Sequence, residues 1–205
     1  HAVVWIDHNE AKIFHFNNPH LIKGLRAKYI ETGLKYGLRS NVDKSYDYGH
    51  WSKNVLQGSK YKLIDQADMP MIKQFPELSF MWNTINEQMG GDRGLMRTYV
   101  NGYTFGTDAY AHIDDKWIPD KFGDDCATET AVVYLNDKWV PDWCGETVIY
   151  TSDWEIESSV LPKEGRVVVF DSRKYHGARP LSRSCPVLRS VMVFKTFDKR
   201  FEDKA

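Results

Sequence analysis

The strongest constraint on the fold is a change of period near residue 95. Beyond it the chain breaks into six strand-like runs, at about 96–103, 108–113, 130–136, 146–151, 166–171 and 189–197. Gly102, Gly106, Asp124-Asp125, Pro141-Asp142 and Glu164-Gly165 punctuate them. Before residue 95 the apolar residues recur at helical spacing. Asn18-Pro19 pairs an N-cap residue with Pro at the first helical position. Leu21, Ile22, Leu25, Tyr29, Ile30 and Leu34 follow on one face, and Gly37 is the expected stop. A second helix is expected from about Glu77, with Leu78, Met81, Trp82, Ile85 and Met89 on one face and Gly90-Gly91 ending it. Helices first and many short strands after predict an α+β chain whose strands close into a sandwich or barrel.

Two segments carry less pattern. Residues 2–6 and 11–16 flank Asp7-His8-Asn9-Glu10 and read as a hairpin, while 38–68 reads as a long polar loop holding Tyr46, Tyr48, Trp51 and Tyr61. No repeat or Pro/Gly/Ser linker interrupts the chain, so a single domain over 1–205 is expected, with helical and loop support over about 1–94 and the strand core over about 95–197.

Composition excludes several classes. With 27 Lys and Arg against 28 Asp and Glu, the net charge of -1 offers no basic surface for nucleic acid or an anionic membrane. Cys126, Cys144 and Cys185 form no CxxC pair, which argues against a disulfide framework or a structural zinc site. No apolar run approaches the roughly 18 residues of a membrane span. The opening His1-Ala2-Val3-Val4 lacks a charged n-region and a cleavage site, so a cytoplasmic location is the expectation. Oligomeric state is left open.

Within the strand half stand His112-Ile113-Asp114 and, about sixty residues on, His176. Residues two apart on a strand share a face. Two imidazoles and one carboxylate covering one face of an octahedral ion leave the opposite face open, the donor set of non-haem Fe(II) sites that bind an oxidant and a co-substrate. His176 follows the run Val167–Phe170, and a jelly roll would bring its strand end beside that of His112. The other histidines, His8, His15, His20 and His50, lack ligand spacing, and the acidic stretch from Asp114 to Asp125 reads as a mobile loop over the site.

Six elements in order now carry a resemblance: Tyr110-Ala-His112-Ile-Asp114; Val132-Val-Tyr134-Leu-Asn136 with Trp139; Cys144-Gly145-Glu146; Leu161-Pro-Lys-Glu-Gly165-Arg-Val-Val-Val-Phe170; Tyr175-His176-Gly177; and Leu188-Arg189-Ser-Val-Met-Val-Phe194. Over about 95–197 the chain resembles the Fe(II)/2-oxoglutarate-dependent oxygenases, in their prolyl-4-hydroxylase-like branch. The resemblance implies a double-stranded β-helix (jelly-roll) core backed by the N-terminal helices. It implies His112, Asp114 and His176 as Fe(II) ligands and catalytic centre, with 2-oxoglutarate as co-substrate, dioxygen as oxidant and ascorbate as a further candidate. Relatives that halogenate lack the carboxylate ligand; Asp114 is present, so hydroxylation or a related oxidation is implied and halogenation is not.

In the family an Arg or Lys on the last core strand pairs with the distal carboxylate of 2-oxoglutarate, for which a guanidinium fork is well matched. Arg189 is that residue by resemblance. It lies thirteen residues past His176 where the usual offset is nine or ten, so 181–187 must form a longer turn, and Arg183, Arg179 and Lys195 are competitors. Tyr134 and Tyr103 match co-substrate tyrosines, with Tyr99 and Tyr110 behind them. Arg97 is a pocket cation or a surface residue; Asn136, Gly145 and Glu146 shape turns at the rim. A peptide or protein carrying a prolyl residue is the first substrate expectation and a free amino acid or small natural product the second. A non-catalytic jelly-roll binding module with a structural or vestigial metal site is the rival of another class. A metal-dependent isomerase or cupin-like dioxygenase that uses no oxo-acid is the third.

Overall fold

A computed structural model describes residues 6–8, 11–39, 49–57, 75–107, 109–114 and 126–200. Two antiparallel sheets face each other. Their strands are β1 (Ile6–His8), β2 (Ala11–His15), β3 (Lys35–Leu38), β4 (His50–Gln57), β5 (Arg93–Tyr103), β6 (Ala109–His112), β7 (Thr128–Tyr134), β8 (Thr147–Tyr150), β9 (Ile156–Val160), β10 (Arg166–Asp171), β11 (His176–Ala178) and β12 (Arg189–Asp198). The larger sheet has the order β1-β2-β10-β7-β12-β5-β4-β3, and the smaller β6-β11-β8-β9. This is the jelly-roll core expected from the sequence, with two helices, α1 (Pro19–Tyr29) and α2 (Pro76–Gln88), laid on the outer face of the large sheet.

The period of two sorts the large sheet's residues between two cores. Val167, Val169, Met192 and Phe194 point outward and pack with Leu21, Ile22, Leu25, Leu78, Met81, Trp82 and Ile85 of the helices. Val168, Phe170, Val191 and Val193 point between the sheets, with Val132, Tyr134 and Ile149. β12 is buried along its whole length because both faces are covered. On its inner face Arg189 and Lys195 stand at the same parity as Val191 and Val193, so both cations are held inside the barrel.

The Asn18 side chain accepts from the Leu21 amide and Pro19 begins the helix, as expected. α1 ends eight residues earlier than the Gly37 stop, at Tyr29. Gly33 takes a φ of +99°, which turns the chain into β3, and Gly37 (φ +113°) lies inside that strand. The 38–68 region is not wholly loop: β4 pairs with β5 from Trp51↔Gly102 to Gln57↔Arg97. Its inward residues His50 and Ser52 are polar, so the alternation is not apparent. β9 was hidden for the same reason, being an edge strand of sequence Ile-Glu-Ser-Ser-Val. Tyr46, Tyr48, Tyr61, Trp117 and most of the acidic stretch lie outside the described residues. Among the described residues no helix is long and apolar enough to cross a membrane, and the three cysteines are free. Cys144, small and apolar by type, is half-exposed, because at φ 56° it closes the short helical turn Pro141–Trp143 at the rim.

One close approach holds the two histidine strands together. A Cβ on Gly177 would meet the Ala109 carbonyl oxygen at 2.4 Å. Gly177→Ala is therefore expected to cost about 2 kcal/mol by overpacking. The check is a lowered urea midpoint at unchanged m-value, with metal affinity falling alongside because β6 and β11 carry His112 and His176.

Candidate metal and oxo-acid site

β6 ends at His112 and β11 begins at His176, and the two residues are register partners across the small sheet. Asp114 follows β6, with its amide donating to the Ser172 carbonyl at 3.0 Å. The three side chains converge: His176 Nε2 is 3.0 Å from Asp114 Oδ2 and His112 Nε2 is 3.5 Å from Oδ1. One ligand atom from each of the three lies within 4.8 Å of the others, a spacing at which a single ion can be shared. Among the described residues this is the one group of three His, Cys, Asp or Glu side chains able to share a metal.

The imidazoles are oriented from behind. His112 Nδ1 lies 2.8 Å from the Tyr110 carbonyl and His176 Nδ1 lies 2.9 Å from the Lys174 carbonyl. A carbonyl only accepts, so both Nδ1 atoms carry the hydrogen and both Nε2 lone pairs face the centre.

From this centre a narrow cavity of about 70 Å³ runs between the sheets. That is the room of roughly five waters, suited to a slender acid rather than a ring. Val132, Val191 and Val193 form its dry walls, with Tyr99 and Tyr103 beside them and Arg189 at the far end. Arg189 is 2% exposed. Its Nε donates to the Gly145 carbonyl at 2.6 Å and one terminal nitrogen to Thr147 Oγ1 at 2.9 Å. The Tyr103 and Tyr134 rings lie 5.2 and 5.3 Å from the guanidinium carbon. Among the described residues no carboxylate pairs with it. A buried guanidinium without a counter-ion is costly, and an anion at this end of the cavity would supply one.

The longer turn before Arg189 is anchored. Leu181 bridges to Cys144, and Asn136 spans the gap between β7 and β12, donating to the Leu188 carbonyl at 2.7 Å and accepting from the Ser190 amide at 2.8 Å. Asn136 thus fixes the backbone on both sides of Arg189. Arg183 lies over the exposed Phe105 ring and Arg179 is exposed, so neither lines the cavity. Tyr103 is on the cavity wall, its hydroxyl accepting from Asn101 at 3.2 Å. Tyr134 stands behind Arg189 with its hydroxyl 2.6 Å from Thr147 Oγ1 and 2.9 Å from the Val160 carbonyl. Tyr99 lines the cavity, and Tyr110 contributes its carbonyl.

Three contributors were not singled out from sequence: Thr147 as Arg189's partner, Thr130 and the depth of Lys195. Thr130 donates to Asp114 Oδ2 at 3.0 Å. Lys195, fully buried, sets its Nζ against the same oxygen and 3.0 Å from Thr130 Oγ1. Burial, and after it the Arg97 charge, push the Lys195 ammonium well below the ordinary lysine range. The signal that could have flagged Lys195 is its parity with Arg189 on an apolar strand. On the other side of the centre a wider cleft of about 390 Å³ is bounded by Arg39, His50, Asn54, Arg97, Tyr99 and Asn101. His50, one of the scattered histidines, stacks on Tyr103 at 4.7 Å.

Residues 98–194 match the model of the 2OG-Fe(II) oxygenase superfamily. No curated protein sequence matches the chain. Among solved structures it is similar to a prolyl-4-hydroxylase from Pseudomonas putida, at 20% identity over 92% of each chain with a TM-score of 0.57. It is similar to a Trichoplax adhaerens prolyl hydroxylase in complex with a hypoxia inducible factor peptide fragment, at 19% identity over 95% of this chain and 86% of that one with a TM-score of 0.61. The viral collagen prolyl hydroxylase of Paramecium Bursaria Chlorella virus-1, in its 2OG complex, is 16% identical over 94% of this chain and 98% of that one, with a TM-score of 0.60.

Proposed function

We propose that this chain, a member of the 2OG-Fe(II) oxygenase superfamily through residues 98–194, hydroxylates an unactivated C–H bond, with a prolyl residue in a peptide or protein as its substrate. Fe(II) and 2-oxoglutarate fit the donor set and the cavity. The observation that carries the reading is Arg189, a buried cation without a carboxylate partner among the described residues, at the far end of a slender cavity whose near end is His112, Asp114 and His176.

When bound, Fe(II) supplies the redox chemistry by which one dioxygen molecule and 2-oxoglutarate become succinate and carbon dioxide while the substrate C–H becomes C–OH. The chain's residues bind and orient. His112, Asp114 and His176 would hold the ion, a donor set of three that would leave room for a co-substrate and an oxidant. Arg189 holds the distal carboxylate of the co-substrate through its remaining donors, with Tyr103 packed beside it and Tyr134 fixing Thr147 behind it. Val132, Val191 and Val193 exclude water from the slot. The substrate enters from the cleft bounded by His50, Arg97 and Tyr99. Prolyl hydroxylases among the fold's neighbours support the peptide reading. The polar lining of that cleft, with Arg39 and Arg97, supports a free amino acid or small natural product as the second reading.

Adding 2-oxoglutarate to the anaerobic Fe(II) protein is expected to produce a visible metal-to-ligand charge-transfer band, and oxygen is then expected to yield succinate. A panel of proline-containing peptides and free amino acids, scored by mass for the gain of one oxygen atom, separates the two substrate readings. A protein with neither band nor succinate is the binding module instead; oxidation without an oxo-acid requirement would point to the cupin-like alternative.

A further inference from the structure

The two oxygens of Asp114 sit in unlike surroundings. Oδ2 receives Thr130 Oγ1 at 3.0 Å and the Lys195 Nζ, which also lies 3.0 Å from Thr130. Thr130 is itself fixed, its hydroxyl 2.9 Å from Ser172 Oγ, and the Ser172 carbonyl takes the Asp114 amide. Among the described residues Oδ1 meets neither of these donors, and His112 Nε2 lies 3.5 Å from it. His176 Nε2 lies 3.0 Å from Oδ2, but its hydrogen is on Nδ1, so this contact is a spacing between two donors of electron pairs and not a hydrogen bond.

Resting on the metal-binding role proposed for Asp114, we infer that Lys195 is a positioning residue: with Thr130 it reserves Oδ2, so that Asp114 ligates through Oδ1 alone. A carboxylate that chelates through both oxygens occupies one more position on a six-coordinate ion. The oxygenase reading needs three open positions, two for the co-substrate and one for oxygen. Lys195 keeps the third position open by occupying the oxygen that would otherwise close it. An amine donates to Oδ2 in either protonation state, so the constraint is one of hydrogen bonding as well as charge. Its place is fixed by β12, where it stands six residues beyond Arg189 on the same inward face, at 0% exposure.

The test uses the full chain and Mn(II), counting metal-bound waters by the broadening of the Mn(II) electron paramagnetic signal in ¹⁷O-enriched water. Lys195→Met is expected to bind Mn(II) about tenfold tighter, because the freed oxygen chelates and a nearby positive charge is gone, and to show one fewer exchangeable water than the wild-type protein. Lys195→Arg is expected to keep the wild-type water count. Thr130→Val, which changes no charge, is expected to move both readouts the same way by a smaller amount, and it carries the test if Lys195→Met fails to fold. An unchanged water count in either variant, or weaker Mn(II) binding in both, overturns the inference. A wild-type protein that binds no Mn(II) would sink the metal role itself.

Discussion

His176→Ala is expected to remove the charge-transfer band and to lower succinate formation at least roughly 10³-fold, about 4 kcal/mol or more of lost transition-state stabilisation. The choice of residue matters. Asp114→Ala would also abolish turnover, but it strips the carboxylate from Lys195, leaving a buried cation against Thr130. Removing one partner of a buried pair costs about 3–5 kcal/mol of stability, so loss of activity there could not be separated from loss of fold. The imidazole of His176 touches the centre, the Lys174 carbonyl and the Phe170 ring. Its removal leaves a small cavity, and the freed carbonyl belongs to a half-buried residue that water can reach. The urea midpoint of His176→Ala should therefore fall by no more than about 2 kcal/mol in stability. Retention of succinate formation within tenfold of wild type would show that the three side chains do not hold the reacting metal.

The sequence made this centre visible because its geometry is local. Residues 112 and 114 sit two apart at a strand end, and that spacing alone puts both side chains on one side. His176 needed only the strand before it, Val167–Phe170, to be placed at the same end of the barrel. The supporting side chains were not visible for the opposite reason. Asn136 looks like a turn residue until Leu188 and Ser190 are seen across from it. Thr130 and Thr147 look like ordinary strand threonines, since threonine suits a strand for reasons unrelated to any site. β4 escaped because two of its buried residues are polar: His50 faces the cleft rather than a core, and Ser52 donates to the Val100 carbonyl. Where a strand borders a binding site, its inner face loses the apolar period from which strands are read, so the site's neighbourhood is the part of the fold least legible in advance.

Arg189→Leu should split stability from function. In the ligand-free chain the guanidinium is buried on two neutral acceptors, the Gly145 carbonyl and Thr147 Oγ1, with the Tyr103 and Tyr134 rings near it. Neutral acceptors compensate a desolvated charge only in part, and replacing a poorly balanced buried charge with an apolar group of similar reach is often neutral or stabilising by about 1–4 kcal/mol. The variant should thus unfold at an equal or higher urea concentration than wild type. The same change should weaken 2-oxoglutarate by roughly 10²–10³-fold, because the distal carboxylate would enter a dry pocket with no cation to meet it. Ligand-induced stabilisation gives a second, activity-free readout. At a free concentration near one hundred times its Kd, 2-oxoglutarate should stabilise wild-type metal-loaded protein by about 2.7 kcal/mol and leave Arg189→Leu nearly unmoved. Arg189→Lys should fall between them, keeping the charge but losing the fork that holds Gly145, Thr147 and a carboxylate together. If Arg189→Leu were destabilised by several kcal/mol yet kept its affinity for 2-oxoglutarate, Arg189 would be a structural cation and the far end of the slot would have to be sought elsewhere.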